Sequence, residues 1–575
     1  MIDIKADNRI SGSEIADDKT TDDKAAGEKT IDSMTLESKE VKEYEGMLNS
    51  WKKVNEITVC VFTLLIIAVF PLVFHDYYFD ILKVKYIFYY GTIILMAVVM
   101  LISAIIFLYI DRCNYNWGGI KSLKSKFSIK ALRTSDWAML AFLIAVAIST
   151  FQSEYFYESF WGNEGRFMGM FLILLYGVSF FLISRCLKFK QWYLDVFLVA
   201  GMIACIIGIM QFFKFDPIGF KANIDSRDYP SFASTIGNIN TYTSYIALIS
   251  GMGTVLFAIE ENKLRRLWYL FTVVVSLFAL ITGISDNAYL ALMALFGLLP
   301  LYLFNNMNGL KKYMVLVSVL FSEFQIIDMI SQKYPDQVLH INGVFNVIVE
   351  FDKLAHFVVI LWGITIVLYV VDACVSKESI LKKDNNIGRW IWLVMIAAVF
   401  FAGCYVLYDA NIAGSADKYG SLKKYLVIND DWGTHRWYIW RIGMESYAKF
   451  PIIHKIFGYG PDTFGIITIN NYYEEMISRY HEKFDSAHNE YLQYLITIGI
   501  VGLIAYLSLL YTSIMEMIRT SKKQPVIMAV VFAIVCYGAQ ATVNISVPIV
   551  APIMMTLLMV GVAAGRELDK LQDSV

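Results

Sequence analysis

The residues best able to do chemistry together are the arginines of Trp432-Gly433-Thr434-His435-Arg436-Trp437-Tyr438-Ile439-Trp440-Arg441 and the histidine of Ser486-Ala487-His488-Asn489-Glu490-Tyr491. A guanidinium fork grips phosphate in bidentate fashion, and a neutral imidazole accepts a proton. A lipid diphosphate as substrate would use both parts. His488 stands where a long polar stretch meets the apolar run Leu492 to Tyr511, which places it at a membrane surface. If it begins that helix, the positive helix end disfavours imidazolium, which suits a base more than an acid.

The element that must carry the arginines is a helix. Thr434 is a fitting N-cap, and Arg436, Trp440, Gly443 and Tyr447 then fall at i, i+4, i+7 and i+11 on one face. On the neighbouring face Arg441 can pair with Glu445, which makes Arg441 the structural arginine of the two. An amphipathic helix in the headgroup region accounts for the same pattern, with arginine meeting lipid phosphate and tryptophan serving as interfacial belt.

Upstream, Trp161-Gly162-Asn163-Glu164-Gly165-Arg166 sets one arginine at the mouth of a span, the place of a snorkelling interfacial side chain. Gly237-Asn238-Ile239-Asn240 opens another span and reads as a helix cap. Asp286 and Asn287 read as a simple hairpin turn, and His356 as a satisfied core histidine. His435, His454, His481 and His488 lack the close regular spacing of metal ligands, and no HExxH or GxSxG motif is present. Gly458-Tyr459-Gly460 lacks the third glycine of a dinucleotide fingerprint. Neither a metal nor a cofactor is expected.

These residues sit in a chain of 575, 57% hydrophobic and 17% charged, with mean hydropathy +0.53. That composition excludes a water-soluble globule and points to an all-α polytopic membrane protein. A net charge of -2 gives no support for nucleic-acid binding. The seven cysteines form no CxxC or pairing pattern, so no disulfide framework is suggested. Residues 1–56 are polar, with few aromatics, and read as a disordered tail; they lack the order of a cleavable signal peptide.

Fourteen apolar stretches are long enough to cross hydrocarbon: 57–74, 86–110, 137–151, 167–184, 192–213, 241–259, 267–284, 288–304, 313–330, 354–372, 390–408, 489–512, 526–544 and 547–564. The expectation is 12–14 transmembrane helices with one large external loop containing short helices. Basic residues cluster on alternate loops, at Arg112 to Arg133, Arg185 to Lys190, Lys263 to Arg266, Lys311 and Lys312, Lys377 to Arg389, and Arg519 to Lys523. By the positive-inside rule both termini are cytoplasmic. The organisation is then a tail (1–56), an N-terminal bundle of about eleven spans (57–408), an external catalytic loop (409–488) and C-terminal spans (489–575).

His488-Asn489, followed after nine residues by Gly499-Ile500-Val501-Gly502, resembles the signature of the O-antigen ligase and polymerase superfamily. The order Arg436-x-x-x-Trp440, Pro451, Gly458-x-Gly460 and Phe464 agrees with it, and Gly237-Asn238-x-Asn240 and Gly165-Arg166-x-x-Gly169 are similar to features upstream in that family. The resemblance covers roughly residues 140–565. It implies a metal-independent membrane glycosyltransferase of helical fold in the cytoplasmic membrane. Its donor would be a saccharide on an undecaprenyl (polyprenyl) diphosphate carrier. Its acceptor would be a hydroxyl of a glycan, lipid or protein outside the membrane.

By the same resemblance Arg436 would hold the diphosphate and His488 would deprotonate or orient the acceptor. Asn238, Asn240, Trp440, Arg441 and Asn489 would line the substrate. The family often carries an arginine shortly before its Gly-Asn motif and a Ser-Arg at a later turn. Here Arg227 stands ten residues ahead of Gly237, and Ser285-Asp286-Asn287 occupies the turn, so Arg166 and Arg227 are the candidates for a second phosphate-binding arginine. A transporter or flippase of the same lipid-linked saccharide is the alternative, although such proteins tend to place ionisable residues at the midplane. Glu323 and Asp328 are the main charges within spans that would fit it. A receptor that binds a glycan without releasing lipid diphosphate is a third reading.

Overall fold

A segment inside hydrocarbon must satisfy its backbone groups internally, so apolar stretches of spanning length become helices. The computed structural model describes residues 22–115, 132–374 and 385–572, and these are almost wholly helical. In chain order the main helices are α1 (Asp22–Leu64), α2 (Ile81–Tyr115), α3 (Thr134–Phe151), α4 (Met170–Cys186), α5 (Trp192–Phe212) and α6 (Ile239–Ile259). Then follow α7 (Lys263–Thr282), α8 (Asn287–Leu303), α9 (Met307–Lys333), α10 (Leu354–Cys374) and α11 (Ile387–Asn411). The segment after them forms α12 (Trp432–Lys449), α13 (Ile452–Phe457) and α14 (Phe464–Tyr480), and the chain ends in α15 (Glu490–Ser521), α16 (Ile527–Gln540) and α17 (Ala551–Gln572). Two strands of two residues, β1 (Phe232–Ala233) and β2 (Gly237–Asn238), pair antiparallel with Phe232 opposite Asn238.

Among the described residues eleven helices are long and apolar enough to cross a membrane, and α4, α8 and α16 are shorter apolar helices. Between them they take up all fourteen apolar stretches, and the all-α, multi-pass membrane class stands. Of the basic loop residues, Lys121, Lys124, Lys126, Lys130, Lys377, Lys382 and Lys383 lie outside the described residues.

By internal contacts the chain divides into one unit of Met1–Asn55 with Ile102–Lys126, and a second of Glu56–Leu101 with Phe127–Val575. In the second unit α6 is the most enclosed span, 94% of its most apolar window being buried. Its small residues allow close backbone approach. A Cβ on Gly251 would stand 2.8 Å from the Phe532 carbonyl of α16. By contrast the corresponding window of α11 is entirely unburied.

Two expectations are corrected here. The polar N-terminal stretch is not unstructured throughout, because α1 runs back to Asp22. In the first unit its aromatic residues find partners on α2: Trp51 stacks on Phe107 at 4.5 Å, and Tyr44 meets Tyr115 edge-on at 5.1 Å. The second correction concerns the stretch 489–512, which is not one straight span. Gly499 adopts φ 70°, ψ -179°, a backbone state open essentially to glycine alone, and the halves of α15 on either side of it fold against each other. Tyr494 and Tyr506, twelve residues apart, would be about 18 Å apart along a straight helix, yet their ring centroids are 4.6 Å apart.

Candidate active site

The loop leading into α15 aims His488. Its φ of 44° is left-handed, a strained state for a residue with a Cβ. Asn489 then caps the helix, its side-chain oxygen accepting from Leu492 N at 3.0 Å. Trp440 of α12 holds the loop from the other side by donating its indole N–H to the Ala487 carbonyl at 2.9 Å. The His488 ring is half-buried, and its Nδ1 has no hydrogen-bond partner among the described residues. Burial, then the charges of Arg436 and Arg166, push its pKa down to about 4, with Asp485 opposing. At neutral pH it is an uncharged imidazole with a free nitrogen, able to accept a proton.

Arg436 is set by the irregular start of α12. Gly433, Thr434 and His435 all have left-handed backbone, so Thr434 does not form the expected N-cap, and regular helix begins at the arginine. Arg436 Nη1 turns back to the Gly433 carbonyl at 2.6 Å, while Nε donates to the Val543 carbonyl at 3.0 Å. Nη2 makes no hydrogen bond among the described residues, which leaves donors for an anion. Burial lowers the guanidinium's pKa from its usual value, and the negative charge of Asp286 acts against that.

The face expected on α12 is present in part as drawn. Gly443 lies where a Cβ would stand 2.9 Å from Ile496, and Tyr447 donates to the Lys455 carbonyl at 2.9 Å. Arg441 is engaged otherwise: it forks onto Asp430 and also reaches Glu445 and Glu475, with Arg479 completing the cluster. That network raises its pKa above the ordinary arginine value and leaves it the structural arginine of the pair. A groove of about 520 Å³ runs beside these residues, with Trp437, Trp440, Met444, Asn489 and Leu492 in its lining.

Arg166 comes to the same site. Its guanidinium pairs with Asp485 through Nη2 at 2.6 Å and Nε at 3.3 Å, and its charge is felt at His488. The loop that bears it is clamped by Asp462, whose carboxylate accepts from Asn163 N at 2.7 Å and Met168 N at 3.2 Å. Burial pushes the Asp462 pKa up to about 7. Arg227, in contrast, is exposed between α5 and β1, and no hydrogen bond or ion pair found among the described residues ties it to His488 or Arg436.

Asn238 and Asn240 serve their helix first. Asn238 caps α6 by accepting from Asn240 N at 2.9 Å. Asn240 accepts from Ser285 Oγ at 2.8 Å, and its carbonyl receives Asn544 Nδ2 at 3.0 Å. These bonds bring in two parts that sequence reasoning missed. One is the connection between α16 and α17, whose Val543 and Asn544 reach Arg436 and Asn240. The other is the Ser285-Asp286 turn, which was read as a plain hairpin. Asp286 also accepts from Val344 N at 2.9 Å. Neither carries a sequence signal beyond being polar at the end of a span.

Of the other histidines, His454 is structural, stacked on Tyr459 at 3.8 Å and bonded through Nδ1 to the Gly458 carbonyl. Among the described residues no group of three or more His, Cys, Asp or Glu side chains is placed to hold a metal ion.

The Gly499 turn explains the signature spacing. Gly458 and Gly499 each nest against the segment that bears the other: a Cβ on Gly458 would stand 2.1 Å from the Thr497 carbonyl, and one on Gly499 would stand 2.3 Å from the Ile456 carbonyl. Gly460 N donates to that same Thr497 oxygen at 2.8 Å. The residues between Asn489 and Gly499 thus form one short arm from the site to an anchor on the Gly458-x-Gly460 loop.

Residues 354–507 match the family model described as O-antigen ligase (Wzy_C). That stretch includes Arg436, the Gly458-x-Gly460 loop, His488 and the Gly499 turn, so the resemblance drawn from them stands. No curated protein matches the chain.

Proposed function

We propose, for a chain that carries the O-antigen ligase region over residues 354–507, that it transfers a glycan from a polyprenyl-diphosphate carrier to a hydroxyl acceptor at the outer face of the cytoplasmic membrane. The acceptor oxygen attacks the anomeric carbon while the bond from that carbon to the diphosphate oxygen breaks. The bond's electron pair leaves with the diphosphate, and the acceptor proton passes to His488 and then to water. Attack from the side opposite the leaving group inverts the anomeric centre.

The observation that carries this reading is the joining of an uncharged His488 to Arg436 in one recess, where burial first and the neighbouring Arg436 charge second keep the imidazole neutral. Arg436 is fixed by two main-chain carbonyls before any ligand arrives, so its unused donors meet the developing charge on the diphosphate without reorganising. Arg166 serves as the second cation by exchanging Asp485 for phosphate. Arginine charge thereby takes the part a metal plays in other transferases. The groove beside Asn489 takes a sugar ring against Trp437 and Trp440.

Charges inside the spans are largely paired with one another, as in Asp136 with Arg185 and Arg566 and in Lys311 with Asp372. Glu323 of α9 is an exception, buried without a partner among the described residues. This distribution favours a surface transferase over a transporter. The two are separated in proteoliposomes loaded with lipid-linked saccharide extracted from host membranes. Transfer yields free polyprenyl diphosphate in step with glycan on the acceptor, whereas movement of the intact carrier across the bilayer would overturn the proposal.

A further inference from the structure

Two residues after His488, Glu490 is 2% exposed. Burying a carboxyl group costs free energy unless strong donors meet it, and here two tyrosines do. Tyr506 donates to Oε1 at 2.5 Å and Tyr537 to Oε2 at 2.9 Å. Glu490 and Tyr506 are sixteen residues apart, which along a straight helix is about 24 Å. Their bond exists because the chain turns back at Gly499, so the carboxyl group fastens the short arm of α15 to its own return half.

The second tyrosine extends the tie to another element. Tyr537 is on α16, which leads into the Ala541 to Val550 connection, and the Glu490 main-chain N–H donates to the Ala541 carbonyl at 2.8 Å. Two residues on, the Val543 carbonyl takes Arg436 Nε, and Asn544 holds Asn240. Glu490 therefore links the start of the arm that bears His488 to the loop that fixes Arg436.

We propose that Glu490 is a positioning residue for the transfer reaction: its carboxyl group, held by Tyr506 and Tyr537, sets the placement of His488 relative to the Arg436 loop without touching substrate. The inference rests on the transfer reading above. It predicts a fault in the chemical step and not in substrate capture, because the groove and the free donors of Arg436 stay in place when the tie is cut.

The test compares E490A, E490Q and Y537F with the unaltered protein, purified in detergent and assayed with lipid-linked saccharide extracted from host membranes. Rates are taken per folded molecule. Glutamine keeps one carbonyl acceptor for a tyrosine, so the expected order of kcat is unaltered protein, then E490Q and Y537F at three- to tenfold lower, then E490A at about 100-fold lower. KM for the lipid donor stays within twofold and melting temperatures are kept in E490Q and Y537F. Unchanged kcat per folded molecule in these two variants would overturn the proposal, even if E490A fails to fold. A rise in donor KM in place of the kcat loss would also overturn it. The underlying reading fails separately, through retained activity in H488A.

Discussion

Arg436 donates from Nε to the main-chain carbonyl of Val543 at 3.0 Å, a bond between residues 107 positions apart. A planar fork can hold that carbonyl and the Gly433 carbonyl from separate nitrogens and still present Nη2 to an anion, a spread of donors that the single nitrogen of an ammonium does not reproduce. R436K therefore keeps the positive charge but loses the geometry. Transfer should drop on the order of 100-fold, comparable to removing one preorganised donor from a transition state, as measured by glycan transfer in membranes at matched protein levels.

The titration of His488 gives a second prediction. Its folded pKa, about 4, lies below the ordinary histidine value of 6.5 because of burial and the charges of Arg436 and Arg166. The neutral base therefore persists well into the acid range. The rate-pH profile should stay flat from pH 7 to about 5 and fall through pH 4. The sign for stability follows: the unfolded chain takes up the proton first, so this group's contribution weakens as pH falls from 6.5 towards 4. An acid limb near 6.5 would show an ordinary, solvated histidine.

Asp462 titrates in the opposite sense. Its pKa is raised to about 7 by burial, so the folded state favours the neutral carboxyl, and stability from this group declines as pH rises from about 4 through 7. D462N keeps an acceptor for Asn163 and Met168 without the charge. It should melt like the unaltered protein at about pH 4 and at an increasingly higher temperature as the pH is raised through 7. D462A removes the clamp on the Arg166 loop and should lose transfer activity across that range.

Gly499 tests the turn. With φ 70° and a Cβ that would stand 2.3 Å from the Ile456 carbonyl, G499A should cost about 2–4 kcal/mol and abolish transfer. Gly297 of α8 has open space where a Cβ would go, and G297A should stay within about 1 kcal/mol of the unaltered protein. Thermal unfolding of the two variants side by side checks the pair.

Much of this site was readable in the chain, and what was hidden has a common cause. His488, Arg436 and Trp440 announce themselves by type and spacing, because charged and aromatic side chains at a membrane boundary have few structural reasons to be there. Arg441 was legible as structural from Glu445 four residues on, and the structure adds Asp430 and Glu475. Val543 could not be found, since it contributes a main-chain oxygen and any residue supplies one. Asp286 reads as a turn residue, and Asp462 carries no signal of its role, because the partners of both come from distant segments. Glu490 carries no sequence signal of its role, because Tyr506 and Tyr537 reach it only through the reversal at Gly499 and the packing of α16.

The fold shows the same division. Hydrophobic stretches of spanning length were plain, but the reversal at Gly499 was not, because Leu492 to Tyr511 is apolar throughout and periodicity carries no sign of direction. The Thr434 cap was lost to three consecutive left-handed residues, a local strain set by the packing around Arg436 and not by the propensity of threonine. Within the expected 1–56 tail the helix from Asp22 onward was hidden because its polar residues gave no periodic face, while Trp51 and Tyr44 find aromatic partners on α2.

The central claim is that His488 and Arg436 together carry a metal-free glycan transfer. The most direct measurement assays H488A and R436A separately, beside the unaltered protein, in membranes containing EDTA and their own lipid-linked saccharide. The account predicts full transfer by the unaltered protein in the chelator and a loss of at least about 100-fold in each variant. Retained transfer in both variants, or loss of transfer by the unaltered protein on adding EDTA, would contradict it.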